Sequence, residues 1–381
     1  MADVADIRKG ASLSSRDLSP GTVPVIGAGV ATSRYAQHAN RPPGTITISA
    51  SGAHAGFVSS HFKPILATDC TTVICDPNQS LPSYTYYYLK NIQEHIYSLA
   101  CGSAQPHIYP KDVASIWLLL PPLEEQRAIA EVLDSVDEAI ERVEEIIVAT
   151  ERLRDALLHE LLTRGLPGQH SEWKEVPGLG TIPASWKVTR LDDIVDILDS
   201  RRVPLNFEQR SGMSGIYPYY GANGIVDYIN DYIFNEQIEL ILIAEDGGNF
   251  DQYRYKPVAL RIKGKCWVNN HAHVILPRNH IQGSFIFHSL RHRDLRAYVS
   301  GSTRSKLTRL ELCRIPMGWP EIAEQWAIAG VLDSVDEAIE LAREELGALR
   351  SAQNSISDAL LTGRVRVNSR REVSHETTGE G

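Results

Sequence analysis

The sequence predicts an α+β protein in which two β-rich globules, related by internal duplication, are separated by two long antiparallel coiled-coil helices. The first observation is a repeat, because residues 125–141 recur as residues 324–340 with 15 of 17 positions identical. The second is that both copies place apolar residues at alternating steps of four and three, which is the pattern of a coiled coil. The third is that a segment with β-branched runs and turn residues precedes each copy.

The apolar seam of each copy predicts one long helix. The seam positions are Ile129, Leu133, Val136, Ile140, Val143 and Ile147 in the first copy, and Ile328, Leu332, Val335 and Ile339 in the second. A single helix cannot bury such a seam, because a coiled coil needs a facing helix to receive its side chains. Since each copy follows its own globule in the same chain, we predict that the two helices pair with each other in antiparallel orientation.

Helix start and stop signals set the predicted boundaries. Pro121, Pro122 and Pro320 stand where proline is tolerated at a helix start, and Gly165 and Gly363 stand where a helix ends. The predicted segments are a first globule at 1–119, a first long helix at 120–165, a linker at 166–181, a second globule at 182–317, a second long helix at 318–363 and a disordered polar tail at 364–381. The first globule has no counterpart of residues 182–191, so we expect it to begin one strand late.

The net charge of −9 is unevenly divided along the chain. Residues 1–118 carry 8 Lys and Arg against 7 Asp and Glu, and residues 177–316 carry 18 against 14, so the globules are neutral to basic. The acidic residues are concentrated in the helices, with 5 Lys and Arg against 12 Asp and Glu in residues 124–164 and 3 against 9 in residues 321–364. This segregation indicates a polyanion as the partner of the globules. It indicates a different partner, or only solvent, for the helices.

Catalytic and cofactor motifs are missing from the sequence. The Gly27-Ala28-Gly29 run lacks the third glycine of a dinucleotide fingerprint, and there is neither a P-loop nor an Asn/Asp-Pro-Pro-aromatic motif. Five scattered cysteines without a CxxC pair predict reduced thiols. His271 and His273 are more typical of a polar surface or a DNA contact than of a metal pair. We therefore expect no catalytic residue and no metal site in this chain.

The sequence also bears on location. No apolar run approaches the length that crosses a bilayer, and residues 1–10 have no signal-peptide core. We expect a cytoplasmic protein that does not act at a membrane.

Three segments together carry a family resemblance. They are the repeated helix, the strand-and-turn segment YPYYGANGIVDYI at residues 217–229, and the Gly-Ser segments that begin at Gly102 and Gly301, in the order globule, helix, globule, helix. In these residues the chain resembles the specificity subunit of type I restriction-modification systems. The resemblance implies two target-recognition domains that each read one half of a bipartite asymmetric DNA sequence. It implies that the helices set the spacing and dock two modification subunits.

The resemblance also implies where the chemistry resides. The chain is then a non-catalytic guide, and the modification (methyltransferase) and restriction (motor-nuclease) subunits hold S-adenosylmethionine, ATP and Mg²⁺, with no cofactor in this chain. The alternative hypothesis is a coiled-coil adaptor whose two globules bind protein and not DNA.

If the globules bind double-stranded DNA, Lys and Arg neutralise phosphates and polar side chains read base edges. The first candidates, from equivalent loops before each helix, are Ser103, Gln105 and His107 in the first globule and Ser302, Thr303, Arg304 and Lys306 in the second. The further candidates are Arg201, Arg202, Tyr219, Tyr220 and Asn223. One of the two adjacent tyrosines is expected in the core, because neighbouring strand residues face opposite sides. The predicted partner-binding residues of the helices are Glu131, Asp134, Glu138, Glu141, Glu337 and Glu340.

Overall fold

The structure is a computed structural model that describes residues 1–12, 20–32, 34–102, 105–278, 283–301 and 305–367. The chain forms two compact units, of which the first contains Met1–Glu145 and the segment from residue 343 onward, and the second contains Ile146–Ala342. Each unit holds one globule together with part of each long helix. Most of the predicted disordered tail, residues 368–381, lies outside the described residues.

The first unit is built on a four-stranded antiparallel sheet. The strands of the whole unit are β1 (Ala5–Lys9), β2 (Val23–Ile26), β3 (Tyr35–Ala36), β4 (Thr45–Ser49), β5 (Val58–His61), β6 (Leu66–Ala67) and β7 (Cys70–Cys75). Its helices are α1 (Pro82–Asn91), α2 (Gln93–Ser98), α3 (Pro110–Ala114) and the first part of α4 (Leu123–Arg164). The main sheet has the order β1-β7-β4-β5, and a smaller sheet has the order β3-β2-β6.

Strand β4 shows why this sequence forms a buried strand. Its alternating threonines and isoleucines place β-branched side chains on both faces, and every residue of the strand is buried. Ile46 and Ile48 enter the apolar core with Leu89 of α1. On the other face Thr47 shares a hydrogen bond of 2.8 Å with His61, and the Ser49 hydroxyl donates to the Ala28 carbonyl at 2.6 Å. The polar face is therefore satisfied within the globule.

The second unit contains a six-stranded mixed sheet. The strands of the whole unit are β8 (Trp173–Val176), β9 (Gly180–Pro183), β10 (Lys187–Arg190), β11 (Val195–Ile197), β12 (Ser214–Gly221), β13 (Gly224–Ile229), β14 (Phe234–Ala244), β15 (Ala259–Val268), β16 (Ala272–Pro277), β17 (Val299–Ser300), β18 (Lys306–Leu307) and β19 (Pro316–Trp319). Its helices, besides the long ones, are α5 (Leu191–Ile194), α6 (Phe207–Ser211), α7 (Gly283–Arg291) and α8 (Arg309–Arg314). The second long helix is α9 (Ile322–Leu361). The main sheet has the order β11-β16-β14-β15-β12-β13, in which the β12–β15 pairing is parallel.

Strand β14 separates two apolar cores in this unit. Ile241 and Ile243 enter a core that also contains Leu290 of α7, whereas Leu240 and Leu242 enter a second core on the other face of the sheet. This two-sided burial follows from the period of two along a strand. A continuous apolar run was needed here because both faces are covered.

The long helices run antiparallel within each unit, as the sequence predicts. In the first unit Arg366, just beyond the end of α9, binds Glu125 at 2.5 and 2.6 Å, and Arg350 binds Glu144 at 2.6 Å. Partner numbers therefore fall along α9 as they rise along α4. Seam residues are buried in both units. In the second unit Leu158 and Leu161 of α4 pack with Ile328, Ala329 and Leu332 of α9.

The repeated aspartates of the long helices bind the globules. In the first unit the Tyr87 hydroxyl donates to Asp134 at 2.7 Å and to Asp137 at 2.8 Å. The equivalent residues of the second copy are Asp333 and Asp336. Asp333 accepts from Arg261, Ser284 and His288, and Asp336 accepts from Arg291. The same helix motif thus holds two diverged globules, one through a tyrosine and the other through charged and polar side chains.

The two copies differ where the chain enters each long helix. In the second unit β10 pairs antiparallel with β19, and the Trp186 ring lies over Gly318 of β19. The equivalent residues 117–120 of the first unit form no described strand, and Trp117 is 90% exposed. Leu119 stands in the first copy where the second copy has Gly318. The first globule therefore presents a different surface at this point, in line with the expected lack of a counterpart for residues 182–191.

Gly318 gives a test of this difference. A Cβ at Gly318 would approach the Trp186 ring to 3.1 Å, so we expect Gly318→Leu to destabilise the second unit by about 1–3 kcal/mol through overpacking. Chemical denaturation followed by tryptophan fluorescence measures the change. The matched control is Gly330→Ala, whose added Cβ meets nothing within 4 Å and which raises helix propensity in α9. Equal effects of the two changes would contradict this account of the packing.

Candidate nucleic-acid interface

A polar cleft of about 660 Å³ lies at one end of the main sheet in the second unit. Four loops form it, namely the segment before and into α6, the β12–β13 turn, the loop after β14 and the β15–β16 turn. The polar side chains in its wall are Asn206, Gln209, Arg210, Asn223, Asp246, Asn269, Asn270 and His271. Amide, guanidinium and imidazole groups of this kind match the hydrogen-bonding edges of bases.

The α6 side of the cleft is held by local hydrogen bonds. The Asn206 side chain accepts a hydrogen bond from the backbone N–H of Gln209 at 2.8 Å, and the Gln209 side chain accepts one from the backbone N–H of Asn206 at 2.9 Å. The two bonds form a capping box. Arg210 donates to the Leu205 carbonyl at 2.8 Å and pairs with Asp227 at 3.2 Å. This side of the cleft is thus preorganised by backbone and side-chain contacts.

The other side rests on the turns at the ends of the strands. The side-chain amide of Asn223 donates to the Gly247 carbonyl at 3.0 Å, and this bond joins the β12–β13 turn to the loop after β14. The Asn269 side chain accepts from the His271 amide at 2.7 Å and is itself buried, whereas Asn270 is exposed. Asn270 is therefore the residue of this turn that presents its side chain to solvent.

A buried charged network lies beside Lys306 of strand β18. The two ring nitrogens of His273 bind Asp199 at 2.6 Å and the Leu307 carbonyl at 2.8 Å. Both partners are hydrogen-bond acceptors. Arg202 donates to Glu245 at 2.6 Å and to the Ala272 carbonyl at 2.7 Å. The network ties strands β16 and β18 to the loop after β14.

The acids of this network are ionised. Burial acts to raise the pKa of the Asp199 carboxyl, but the hydrogen bonds from His273 and the Val274 backbone, together with the charge of Arg202, outweigh it and hold that pKa below its ordinary value. Burial opposes ionisation of Glu245 in the same way, and Arg202, His273 and Lys306 together hold the pKa of Glu245 below its ordinary value. The buried cations and anions therefore balance each other.

The same network contains a set of metal-ligand types. Ligand atoms of Asp199, Glu245 and His273 all lie within 4.8 Å of one another. However, the Arg202 guanidinium is 2.6 Å from Glu245 and 3.5 Å from Asp199, so it supplies the positive charge that a metal ion would bring. We expect a metal chelator to leave the thermal midpoint of the second unit unchanged. A fall in the midpoint that Zn²⁺ or Mg²⁺ restores would contradict this.

The structure places the further candidate residues in different surroundings. Tyr219 is the core member of the tyrosine pair, since it is 1% exposed and its hydroxyl accepts from the Leu205 amide at 3.0 Å. Its predicted DNA contact stays a prediction, although a ring buried in this way offers little surface to a base. Tyr220 is half-buried, and burial raises the pKa of its hydroxyl. Asn223 is exposed in the cleft wall.

The two adjacent arginines also differ. Arg202 is held in the buried network, which gives it a structural role, and its predicted DNA contact stays a prediction. Arg201 is exposed, lies over the Phe234 ring at 4.6 Å and donates to the Ile233 carbonyl at 3.1 Å. Only Arg201 of this pair offers surface to a DNA phosphate.

The loop candidates are placed in part. Lys306 is half-exposed, and its ammonium lies 3.3 Å from Glu245. Gln105 is exposed, and the His107 backbone pairs with Cys101 through bonds of 2.9 and 3.0 Å. Ser103, Ser302, Thr303 and Arg304 lie outside the described residues.

The partner-binding candidates on the helices are exposed. They are Glu131, Asp134, Glu138, Glu141, Glu337 and Glu340. Asp134 has a second role that the sequence did not predict, because it accepts a hydrogen bond from Tyr87 of the globule.

Comparisons with known proteins identify the class. The family model of the type I restriction modification DNA specificity domain matches residues 1–151 and again residues 183–350, and the chain therefore belongs to this family. A type I restriction enzyme specificity subunit of Methanocaldococcus jannaschii is 25% identical over 349 residues, which cover 83% of this chain and 78% of that protein. A putative type I restriction enzyme specificity subunit of Haemophilus influenzae is 32% identical over 175 residues, which span 46% of this chain and 40% of that protein.

A solved structure supports the fold. The S subunit of a type I restriction-modification system from M. genitalium aligns with a TM-score of 0.67 over 94% of each chain, at 20% sequence identity. The α+β architecture with two duplicated globules and two long helices is thus confirmed. Each helix in the described part of the chain is too short or too polar to span a bilayer.

Proposed function

We propose that this chain is the DNA specificity subunit of a type I restriction-modification complex, in which each globule reads one half of a bipartite asymmetric target. The observation that carries the proposal is the double match of the specificity-domain family, once to each half of the duplicated chain. The absence of catalytic motifs from the sequence fits a guide that directs the chemistry of other subunits. An adaptor with protein-binding globules is not favoured, because the matched family is one of DNA specificity domains.

The polar cleft of the second unit is our proposed reader of one half-site. Exposed amides recognise adenine and other bases through paired hydrogen bonds, and the major groove presents a distinct pattern for each base pair. Asn223 and Asn270 are the amides best placed for this role, because both line the cleft, both are exposed and neither belongs to the capping box that holds Asn206 and Gln209. Arg201 and Lys306 supply positive charge for phosphates.

Lys306 offers a test that separates phosphate binding from base reading. Its ammonium pairs with Glu245 in the free protein, and at half exposure this pair contributes little to stability. We expect Lys306→Ala to weaken DNA binding about equally for all sequences and to reduce the salt slope of binding by about 1. Filter-binding titrations over a salt series, on the complex with its modification subunits, measure both quantities.

The control for this test is Lys187→Ala, which removes an exposed lysine outside the cleft wall. A sequence-dependent loss in Lys306→Ala would contradict a phosphate role. An unchanged salt slope would contradict it as well.

Exposed positions on the long helices support two identical protein partners. Val132 and Val331 occupy the same position in the repeat and are 36% and 40% exposed. The exposed pairs Ser135 and Ser334, Glu138 and Glu337, and Glu141 and Glu340 are also identical between the copies. Packing inside the chain does not explain identity at exposed positions. We infer that each copy docks one modification subunit, and that restriction subunits join the resulting complex.

Introducing a charge on this surface tests the stoichiometry. We expect Val331→Glu to leave a complex with one modification subunit, and the double variant with Val132→Glu to leave none, because a buried unpaired charge disfavours the contact. Native mass spectrometry gives the composition. Ala348→Glu in an exposed position of α9 outside the repeat is the control. Loss of both subunits in the single variant would contradict two independent docking sites.

The cofactors of the reaction follow from this proposal. S-adenosylmethionine, ATP and Mg²⁺ then bind in the modification and restriction subunits and not in this chain. Such a complex acts on DNA in the cytoplasm.

A further inference from the structure

The first unit repeats the backbone that surrounds the polar cleft of the second unit. In the second unit the chain after β14 is held by backbone bonds from Glu245 to the His271 carbonyl at 2.8 Å, from Leu307 to the Glu245 carbonyl at 2.7 Å and from Gly247 to the Ser305 carbonyl at 3.0 Å. In the first unit the chain after β4 is held by the equivalent bonds, from Ala50 to the Asp69 carbonyl at 3.3 Å, from Ile108 to the Ala50 carbonyl at 3.0 Å and from Gly52 to the Pro106 carbonyl at 3.0 Å. Gly247 and Gly52 also share a positive φ, of 69° and 76°. Residues 50–52, 69 and 106–108 therefore form a counterpart surface in the first unit.

Two side chains of the counterpart surface exchange roles between the units. In the second unit the acid is Asp246, on the loop after β14, and its carboxylate lies 3.4 Å from the His271 ring. The equivalent residues of the first unit are Ser51 and Asp69, so the acid there is on the turn that leads into β7. The Asp246 side chain is 19% exposed, whereas Asp69 is an exposed residue and Ser51 is buried. The first unit thus has a carboxylate at the surface where the second unit has an imidazole.

The Asp69 carboxylate is fixed by its neighbours. The Ser51 hydroxyl donates to Asp69 Oδ2, and Ser51 is itself held by a backbone bridge to His107. The bond on Oδ2 leaves Oδ1 as an acceptor for a ligand, since each carboxylate oxygen accepts independently. Because the carboxylate is already oriented, a hydrogen bond to Oδ1 costs little side-chain entropy.

We propose that Asp69 reads a cytosine in the half-site of the first unit, by accepting a hydrogen bond from the cytosine N4 amino group in the major groove. This inference rests on the proposed function. A carboxylate can only accept, so the edges of guanine and thymine, which present acceptors in the major groove, repel it. Adenine has an amino group too, but its N7 acceptor lies beside that group and opposes the carboxylate, whereas the neighbour of the cytosine amino group on its own ring is a C–H. The carboxylate of Asp69 therefore selects cytosine.

The test is Asp69→Asn in the complex with its modification subunits. The variant keeps the size of the side chain, and its amide oxygen keeps the bond from Ser51, so its NH₂ group faces the base as a donor. We expect guanine or thymine to replace one cytosine of the methylated motif, and the original cytosine to be disfavoured about five-fold or more. Sequencing of the methylated members of a DNA pool, randomised in one half-site at a time, measures the change. It should fall in the half that the double variant with Asn223→Ala and Asn270→Ala leaves unchanged.

A second measurement uses the wild-type chain and modified DNA. N4-methylcytosine keeps its base pair but carries a methyl group in place of the amino hydrogen that faces the major groove. It is placed at each cytosine of the first unit's half-site in turn. At one position we expect it to weaken binding to the wild-type complex about five-fold or more, and to cause no further loss in the Asp69→Asn complex. Filter-binding titrations measure both.

The matched control is Asp3→Asn, which removes an exposed carboxylate near the end of β7 opposite to Asp69 and should leave the motif unchanged. Circular dichroism checks that each variant is folded, and if Asp69→Asn is unfolded then the modified DNA decides. An unchanged motif in a folded Asp69→Asn protein would overturn this inference and leave the two-part target intact. A half-site in which no cytosine responds to N4-methylation would overturn it in the same way. A wild-type complex that methylates no two-part motif would overturn the proposed function, and this inference with it.

Discussion

Replacing Asp333 with alanine is expected to lower the free energy of unfolding of the second unit by about 2–3 kcal/mol. This carboxylate accepts hydrogen bonds from Arg261 at 2.7 Å, from Ser284 at 2.6 Å and from His288 at 2.9 Å. Its removal leaves the buried His288 imidazole without the acceptor of its Nε2 and takes from the Arg261 guanidinium its closest carboxylate, while the contacts of Arg261 with Ser284 and Glu239 remain. Because the Asp333 side chain is 36% exposed, water relieves part of this cost, so the loss stays below that of a fully buried ion pair.

The matched control is Asp134→Ala at the equivalent position of the first copy. Tyr87 keeps its second bond to Asp137 in that variant, so we expect a loss of less than about 1 kcal/mol. Hydrogen exchange with mass spectrometry reports the two units separately, through the amides of β14 and β4. Equal losses in the two variants would show that the globule contacts described here do not set stability.

The same carboxylate predicts an acid dependence. Burial acts to raise the pKa of Asp333, but the bonds from His288, Ser284 and Arg261 outweigh it and hold that pKa well below its ordinary value of 3.8. A group with a depressed folded-state pKa stabilises the protein above its unfolded-state pKa, and this contribution is lost as the pH falls through the folded-state value. The Asp333 contribution should therefore persist at neutral pH and weaken only below about pH 4. In Asp333→Ala this part of the acid dependence should be missing.

The second large effect is expected in target recognition. Replacing Asn223 and Asn270 together with alanine should relax discrimination in one half of the methylated sequence by about 1–3 kcal/mol per lost base contact. The other half should keep its full specificity, because it is read by the other globule. Methylation of a DNA pool in which one half-site at a time is randomised, by the complex with its modification subunits, measures the two halves separately.

Asn230→Ala is the control for the cleft variant, since Asn230 is an exposed asparagine of the same globule outside the cleft wall. Relaxed specificity in both halves would contradict separate reading by the two globules. Unchanged specificity in both halves would remove the cleft from DNA recognition.

The architecture was readable from sequence because duplication and helix periodicity are regular signals. The seam through Ile129 and Leu133 gave the long helices, and the order of the segments gave their antiparallel pairing, which the Glu125–Arg366 bonds confirm. The burial of the tyrosine pair was predicted only in part. Strand alternation required one of Tyr219 and Tyr220 to be in the core, but it did not say which.

The cleft was not predicted, because four segments far apart in sequence form it. Asn206 and Gln209 show the spacing of a capping box, which marks a helix start and carries no sign of a binding site. The role of Asp333 was missed for a similar reason. Its partner His288 is 45 residues away in the chain, and no local pattern reports such a contact.

The central claim is that this chain dictates a two-part DNA target. Its most direct test is to sequence the DNA that is methylated when the chain is co-expressed with its modification subunit, with the modification subunit alone as control. The account predicts a motif of two defined blocks around an undefined gap, present only with this chain. A single half-site or its palindrome would contradict reading by both globules, and no methylation, with soluble chain and an active modification subunit, would contradict the guide function itself.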